Sequence, residues 1–278
     1  MARAENKESA GPAARTAANV AKRLRRRKGL TQEQLGRVMG YTGAAVSAME
    51  TLSQPVSDEM LVKLDEALGD GSGIFEELRE TVRLERLPRK FRDYLPIEQK
   101  ALSLYLYANH VVHGLFQTER YARALIAGGY PTPAPERVEE LVEMRMARKD
   151  LFDRQPLCLV ELVLDESALR RPLGSREIMR EQLEHLAACS GRQNVNLYVL
   201  PLDAGLYGEY AGARGELNLV ETPENDRFVY LDVQDESMLI TVPSKVSTLA
   251  HRHAKIRAQA LDPRKSLGLI RQLAGEGT

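Results

Sequence analysis

Two neighbouring segments of the chain carry residues suited to binding a polyanion. Residues 22–28 read KRLRRRK, and residues 31–51 read TQEQLGRVMGYTGAAVSAMET. Basic side chains bind phosphate oxygens and make such binding dependent on salt. The second segment has the spacing of two short helices, a shape that fits a DNA groove. Charge and shape together predict a surface for DNA, which neither segment would indicate alone.

The second segment has start and stop signals for both helices. Thr31 and Gln34 form a capping box at the start of the first helix, and Gly40 can adopt the left-handed conformation at its end. Gly36 is a small residue where two crossing helices would need one. Thr42 can cap the second helix. Two short helices joined by a tight glycine turn make a helix-turn-helix unit, whose second helix lies in the major groove.

The second predicted helix has two different faces. Ala45, Val46 and Met49 form its apolar face. Gly43, Ala44, Ser47 and Ala48 point largely the other way. A plain helical hairpin within a larger helical protein is the alternative reading of this pattern.

The basic segment falls at the end of a predicted helix, residues 16–28. The chain as a whole has 39 basic and 39 acidic residues, so its net charge gives no nucleic-acid signal. Locally, residues 1–40 hold ten Lys or Arg and three Glu, whereas residues 41–80 hold two Lys or Arg and nine Asp or Glu. We expect the phosphate contacts from Arg23, Arg26, Arg27 and Lys28; a solvated helix face is the alternative.

Residues 15–86 resemble the XRE family of DNA-binding domains, the group that contains the phage lambda and 434 repressors. The resemblance rests on LRRRKGLTQEQLGRVMGYTGAAVSAME. It implies that Gln32, at the start of the first helix, contacts phosphate. It also implies that five residues face base edges: Thr42, Gly43, Ala44, Ser47 and Ala48. These side chains are small and only two can hydrogen-bond, so we expect modest direct readout, supplemented by DNA shape, water or dimer spacing.

The remaining length is enough for a second domain. The sequence predicts an α+β multidomain chain, with an all-α lambda-repressor-like helix-turn-helix domain followed by a mixed α/β C-terminal domain. We expect a disordered arm at 1–14, the DNA-binding domain at 15–72, a linker helix at 73–96 and the regulatory or partner-binding domain at 97–278. The N-terminus lacks the apolar region of a secretory signal, and no apolar run is long enough to span a membrane. Cys158 and Cys189 read as buried free thiols, so we expect a cytoplasmic protein.

The predicted second domain begins with helical patterns and continues with strands. The helical segments expected there are 97–112, 118–127, 135–153, 175–189, 244–260 and 263–274. The strand-like segments are 157–164, 195–200, 216–221, 228–233 and 237–242. Segment 175–189 has the position of a crossover between the first two of these strands.

Five segments of this domain resemble the C-terminal domain of a large actinobacterial regulator group, the antitoxin-like, WhiJ-like proteins. They are HVVHGLFQTERYARALI (110–126), MRMARKDLF (144–152), LVLDESALRRPLG (162–174), IMREQLEHL (178–186) and NVNLYVLPLDAGLYGEYAG (194–212). The resemblance implies a small protein partner encoded by an adjacent gene. Tyr207 and Tyr210 are candidate partner-binding residues, because tyrosine is enriched at interfaces; the alternative is that they cap the core. Tyr105 and Tyr107 are predicted on a helix.

The sequence indicates neither a catalytic site nor a cofactor. His251 and His253 do not share a helix face, and His110 and His113 have no further ligand at suitable spacing, so no metal site is predicted. The pair Asp165–Glu166 follows a predicted buried strand, where catalytic acids can sit, but acids also favour a helix start.

Three hypotheses remain for the function. The first is a homodimeric transcriptional regulator that binds a near-palindromic double-stranded DNA operator, with a C-terminal domain that dimerises, binds the small protein partner, or both. The second is a regulator that responds to a small molecule bound in the α/β domain. The third is an antitoxin-like interaction module with secondary DNA binding.

Overall fold

Helices make up the first of two units, which divide between Arg92 and Asp93. The computed structural model describes residues 11–54, 56–86, 89–206, 208–233 and 236–275. The helices described in the first unit are α1 (Pro12–Arg27), α2 (Gln32–Met39), α3 (Gly43–Glu50), α4 (Asp58–Leu68), α5 (Ile74–Arg86) and α6 (Arg89–Arg92).

The core of this unit draws on five of these helices. Ala17 and Ala21 of α1 are fully buried, at the i, i+4 spacing that places both on one face. The other buried members of this core include Leu35, Met39, Val46, Met49, Leu61, Leu64, Leu68, Phe75 and Val82. Because α5 contributes Phe75 and Val82, it is part of the unit; the predicted separate linker helix at 73–96 differs from the structure in this respect.

The start of α1 is held by a residue far along the chain. The carboxylate of Glu85 in α5 accepts hydrogen bonds from the backbone N–H of Ala13, at 2.6 Å, and of Ala14, at 3.2 Å. Pro12 supplies the backbone angle favoured at a helix start. Residues 12–14 are therefore helical, where the sequence predicted part of a disordered arm. Residues 1–10 lie outside the described part.

The second unit is built on a mixed sheet. Its described strands are β1 (Ser103–Ala108), β2 (Leu159–Asp165), β3 (Val195–Leu200), β4 (Leu217–Glu221), β5 (Arg227–Val233) and β6 (Glu236–Ile240). Their order is β3-β2-β1-β4-β5-β6. The pairs β1–β2 and β2–β3 are parallel, while β1–β4, β4–β5 and β5–β6 are antiparallel.

The helices of this unit include the crossovers that parallel strands require. They are α7 (Leu95–Lys100), α8 (Glu119–Ala127), α9 (Pro135–Ala147), α10 (Glu166–Arg170), α11 (Arg176–Cys189), α12 (Pro243–Gln259) and α13 (Pro263–Leu273). The α9 helix continues into a 3-10 turn, Arg148–Phe152, which completes the predicted helix 135–153. The predicted fold class, an α+β chain with an all-α N-terminal domain and a mixed α/β C-terminal domain, is confirmed.

One predicted element is wrong. Residues 97–112 were expected as a helix, but they contain only the short α7 and then β1, so Tyr105 and Tyr107 lie on a strand. Strand β1 lies between β2 and β4, and Leu104, Leu106 and Tyr107 are fully buried. A strand buried on both faces reads as a nearly continuous apolar run, which periodicity cannot separate from a buried helix.

Candidate nucleic-acid interface

The turn between α2 and α3 follows the predicted signals. Thr31 Oγ1 accepts from the backbone N–H of Gln34 at 3.1 Å, while Gln34 Oε1 accepts from the N–H of Thr31 at 2.8 Å. Gly40 ends α2 with φ of +76°, in the left-handed region. Thr42 Oγ1 accepts from the N–H of Ala45 at 3.1 Å and caps α3. The chain therefore contains two short helices joined by a tight turn, as predicted.

Gly36 allows the two helices to approach closely. A Cβ at this position would lie 2.8 Å from the carbonyl oxygen of Tyr41 and 2.9 Å from the carbonyl carbon of Thr42. The N–H of Tyr41 donates to the carbonyl of Gly36 at 2.8 Å. A side chain here would therefore push the start of α3 away from α2.

The two faces of α3 differ as predicted. Val46 and Met49 are fully buried, at 0% and 1% exposure. Thr42 and Ala44 are exposed, while Gly43, Ser47 and Ala48 are half-buried. Of the predicted base-facing residues, Thr42 at the N-cap and Ala44 are the most accessible.

Gly43, the first residue of α3, packs against the start of α2. A Cβ on Gly43 would lie 2.9 Å from Cγ of Glu33 and 3.1 Å from its Cα. The starts of α2 and α3 are therefore in contact, and Gly43 is the residue that permits it. This contact also brings the exposed acid Glu33 beside the start of α3.

A buried ion pair fixes the end of α3 to α1. Arg25 donates from Nε to Glu50 Oε1 at 2.5 Å and from Nη2 to Oε2 at 2.9 Å. Its Nη1 also donates to the carbonyl of Leu30 at 2.7 Å. The side chains are 10% and 1% exposed. One guanidinium thus links α1, the following turn and the last residue of α3.

Gln32 joins the same network. Its Nε2 donates to Glu50 Oε2 at 2.9 Å, so the predicted phosphate-contacting side chain has one amide hydrogen committed within the protein. Burial raises the pKa of the Glu50 carboxyl, but the hydrogen bonds from Arg25 and Gln32, with the charges of Arg25 and Lys22, outweigh it and hold that pKa below its ordinary value. Glu50 is thus held as a carboxylate.

Lys22 of α1 is a second cation whose charge lowers the pKa of Glu50. Lys22 is half-buried, and Arg26, four residues later on the same helix face, is exposed. Arg23 and Arg27 are also exposed but lie further round the helix. Among these cations, Lys22 is the one whose charge acts on Glu50 of α3 together with that of Arg25, and Lys22 was not among the predicted site residues.

Lys28 has partners within the unit. Its Nζ lies 2.6 Å from Oδ1 of Asp70 and 3.1 Å from the carbonyl oxygen of Ala67, at the end of α4. The ammonium group therefore sits on the α4 side of α1. Among the four predicted cations, Lys28 therefore has a carboxylate partner within the described part of the unit.

The Arg25–Glu50 pair was missed by the sequence reasoning, although a signal for it was present. Ala17, Ala21 and Arg25 follow each other at i+4 spacing, so the buried stripe of α1 continues into a charge. In the same way Glu50 follows the buried Val46 by four residues. A charge that continues an apolar stripe needs a buried partner of opposite sign.

In the second unit, Tyr210 lies at the carboxyl end of β2. Its hydroxyl donates to Asp165 Oδ2 at 2.5 Å, and its side chain is 38% exposed. Tyr107, fully buried, donates to the carbonyl of Gly212 at 3.2 Å. The ring of Tyr210 is thus partly exposed while its hydroxyl is bound within the protein. Tyr207, the other candidate partner-binding residue, lies outside the described residues.

The acids Asp165 and Glu166 support the structure locally. Asp165 Oδ1 accepts from the N–H of Ser167 at 2.9 Å, which caps α10. Glu166 pairs with Arg170 at 2.6 Å and accepts from the N–H of Leu202 at 3.1 Å. These bonds favour the structural reading of the pair over the catalytic one.

In each of the two histidine pairs, one imidazole is buried and the other is exposed. His253 is buried, with Nε2 3.4 Å from the carbonyl of Leu106, whereas His251 is exposed on α12. His113 is buried and its Nδ1 accepts from the N–H of Leu115 at 3.4 Å, whereas His110 is exposed. Within the described ranges, no group of three or more His, Cys, Asp or Glu side chains has the geometry to hold a metal ion.

Two families match the chain. Residues 18–71 match a helix-turn-helix domain family, HTH_31, the domain type of DNA-binding regulators. None of the described helices has both the length and the apolar character needed to cross a membrane. No curated protein and no solved structure matches the chain. Residues 91–272, about two thirds of the chain, match the domain of unknown function DUF5753, and the chain therefore belongs to the DUF5753 family, with a helix-turn-helix domain at its N-terminus.

Proposed function

We propose that this protein is a homodimeric transcriptional regulator that places α3 in the major groove of a near-palindromic operator, with half-sites about one helical turn apart. The observation that carries the proposal is the outer side of α3, where Thr42 and Ala44 are exposed on a helix whose last residue, Glu50, is paired with Arg25 at the basic end of α1. Lys22 and Arg26 would contact phosphates flanking that groove, with Arg23 and Arg27 further out.

Direct base readout by this helix is modest. Ala44 and Ala48 offer methyl groups, which suit the methyl of thymine, and the hydroxyls of Thr42 and Ser47 can bond to either kind of base edge. The hydroxyl oxygen of Thr42 already accepts from Ala45, so it is best placed to act as a donor to DNA. Dimer spacing and DNA shape then supply the remaining specificity.

The salt dependence of binding tests the phosphate contacts. The logarithm of the binding constant falls with the logarithm of salt concentration by about 0.9 per phosphate neutralised. Replacing both Lys22 and Arg26 with Ala should make the salt dependence shallower, by about 2 in the magnitude of this slope. Lys28→Ala is the matched control, because Asp70 and the end of α4 already hold its ammonium group. Equal slopes for the double variant and the wild type would remove Lys22 and Arg26 from the interface.

Base discrimination tests the role of α3. If Ser47 reads a base, Ser47→Ala should lose preference at one position of each half-site, by a factor that corresponds to about 1–3 kcal/mol. Unchanged discrimination in that variant would leave the hydroxyl without a role in readout.

A WhiJ-like, antitoxin-like role in binding a small protein encoded by an adjacent gene is supported by one surface of the C-terminal unit. The segment after β3 exposes Leu202 at 61%, Leu206 at 66% and Tyr210 at 38%. These apolar side chains are exposed within nine residues of one segment, and a contiguous exposed apolar patch marks an interaction site. Purifying the chain together with the adjacent gene product tests this role, and Leu206→Asp should weaken any complex that uses this surface. Absence of a complex would contradict it.

A ligand-responsive regulator is the second candidate, and it is supported by a cleft of about 620 Å³. The β4–β5 turn and α12 form its walls, with Phe228, Val246 and Ala250 as apolar lining and Thr241 and His251 among the polar groups. Its volume is in the range of small-molecule sites. A ligand that raises the melting temperature of wild type but not of Ala250→Trp, which fills the cleft, would favour this candidate.

A further inference from the structure

The two edge strands of the C-terminal sheet, β3 and β6, differ in their hydrogen-bond partners outside the sheet. At the β3 edge, the N–H of Val199 donates to Ser266 Oγ at 2.9 Å, and its carbonyl accepts from the N–H of Leu261 at 2.8 Å. Leu261, which precedes α13, and Ser266, in its first turn, therefore cover this edge at Val199. An edge that is satisfied in this way is closed to a further strand.

The other edge is formed by β6, which in the described part of the chain pairs with β5 alone. Met238, at the centre of this strand, is 54% exposed, and Val242, just beyond its end, is 49% exposed. Proteins commonly protect an edge strand with lysine, proline or a bulge. The strand Glu236–Ile240 reads ESMLI, and its one charge is at its first position. The edge thus offers an apolar strand for pairing.

The charges around β6 favour a second copy of the same chain as the occupant. Glu236 is exposed at the start of the strand. The first basic residue beyond its end is Lys245, exposed in the first turn of α12. In an antiparallel pair related by a two-fold axis, the start of one strand lies beside the end of the other. The acid of each copy is then brought towards the base of its partner, twice in the dimer, whereas a parallel pair would align Glu236 with Glu236.

We propose that two copies of this chain dimerise by antiparallel pairing of their β6 strands, centred on Met238, to form one continuous sheet. The proposal rests on the proposed function, since it names the surface that makes the regulator a dimer. A two-fold axis through this edge matches the symmetry that a near-palindromic operator requires. The interface is apolar at its centre, where the Met238 side chains meet, and charged at its two ends.

The oligomeric state of the full chain without DNA tests the pairing. Met238→Lys places two like charges at the axis and should raise the dimer dissociation constant at least tenfold in sedimentation equilibrium. Leu159→Lys is the matched control, because Leu159 is 60% exposed on β2, which is an inner strand of the sheet. It should leave the dissociation constant within about twofold, as most surface substitutions do.

Charge exchange tests the orientation. Glu236→Lys and Lys245→Glu should each weaken the dimer severalfold, and the double variant should recover most of the affinity of the wild type. A parallel or unrelated interface would show no such recovery.

A cross-link keeps the proposal testable if Met238→Lys fails to fold. Residues directly opposite each other in antiparallel strands have Cα atoms about 4.5–5.5 Å apart, within reach of a disulfide. Met238→Cys should therefore give a covalent dimer on oxidation, while Leu159→Cys should not.

The result that overturns the proposal is a monomer at micromolar concentration, or a dimer that Met238→Lys and Met238→Cys leave unaffected. In the second case, intact operator binding would support the proposed function and would show that the chain dimerises through a surface other than β6. A dimer that responds as expected but binds no DNA would support the pairing and contradict the proposed function.

Discussion

Replacing Glu50 with Gln should destabilise the N-terminal unit more than any single surface change. The wild-type carboxylate accepts three hydrogen bonds, two from Arg25 and one from Gln32. A glutamine has one acceptor oxygen, so its amide hydrogens would face donors, and Arg25 would be left buried without a counter-charge. Removing one partner of a buried ion pair costs about 3–5 kcal/mol.

Thermal unfolding of the full chain measures this cost. For a domain of this size, 1 kcal/mol shifts the melting temperature by roughly 4–8 °C, so the transition of the N-terminal unit should fall by about 12 °C or more. The transition of the C-terminal unit should not move. Glu33→Gln removes an exposed charge from α2 and serves as the control, with an expected change within about 0.5 kcal/mol.

The pH dependence gives a second check on the same residue. Because the folded pKa of Glu50 lies below its unfolded value, its contribution is complete above the ordinary value of 4.5 and is lost as the pH falls through the folded pKa. Wild type and Glu50→Gln should therefore converge in acid. Equal melting temperatures for Glu50→Gln and Glu33→Gln at neutral pH would show that the Arg25–Glu50 pair does not stabilise the unit.

Three further changes test other parts of the account. Gly40→Ala places a Cβ at φ of +76° and should cost about 1–2 kcal/mol, seen as a lower melting temperature of the N-terminal unit. Burial, with the charges of Arg148 and Arg145, lowers the pKa of His113 to about 3, so the unfolded chain binds a proton that the folded chain does not between pH 6.5 and 3. The contribution of His113 to the free energy of unfolding of the C-terminal unit should therefore be fully present above pH 6.5. Below that pH, urea titrations should show the free energy of unfolding falling by up to about 1.4 kcal/mol per pH unit. A His113→Asn variant with the same pH dependence as the wild type would contradict this. Gly36→Ala should move the start of α3 and weaken DNA binding, whereas the control Ala67→Gly should leave the affinity for DNA unchanged. Equal affinities of the two variants for DNA would show that binding does not require the close approach of α2 and α3.

Local signals explain why the helix-turn-helix could be read from the sequence. Thr31, Gln34, Gly40 and Thr42 act within three or four residues of their own positions, so type and spacing are sufficient. Most strands could also be predicted from local sequence, and their ends lie close to the predicted limits. The cap that Glu85 provides to α1 depends instead on a contact across 72 residues, which no local pattern encodes.

Burial by the rest of the fold accounts for the other differences. The central strand β1 lacks alternation because both of its faces are covered, and it was therefore predicted as a helix. Arg25 and Lys28 belong to one basic run, yet one is buried against Glu50 and the other pairs with Asp70. Composition shows the charge of such a run, but only the packing of the neighbouring helices decides which cations remain for DNA.

The proposed binding of α3 to DNA is tested by the affinity of the full chain for genomic DNA fragments that it binds in the cell, compared with that of Ala44→Glu. Ala44 is exposed on the outer side of α3, and a carboxylate there would face the acceptors and phosphates of the groove. Thr81→Glu adds the same charge at an exposed position of α5 and is the control. If α3 binds in the groove, Ala44→Glu should lose at least tenfold in affinity and Thr81→Glu should change within about twofold. Equal binding by both variants, or no binding of DNA by the wild type, would contradict this proposal.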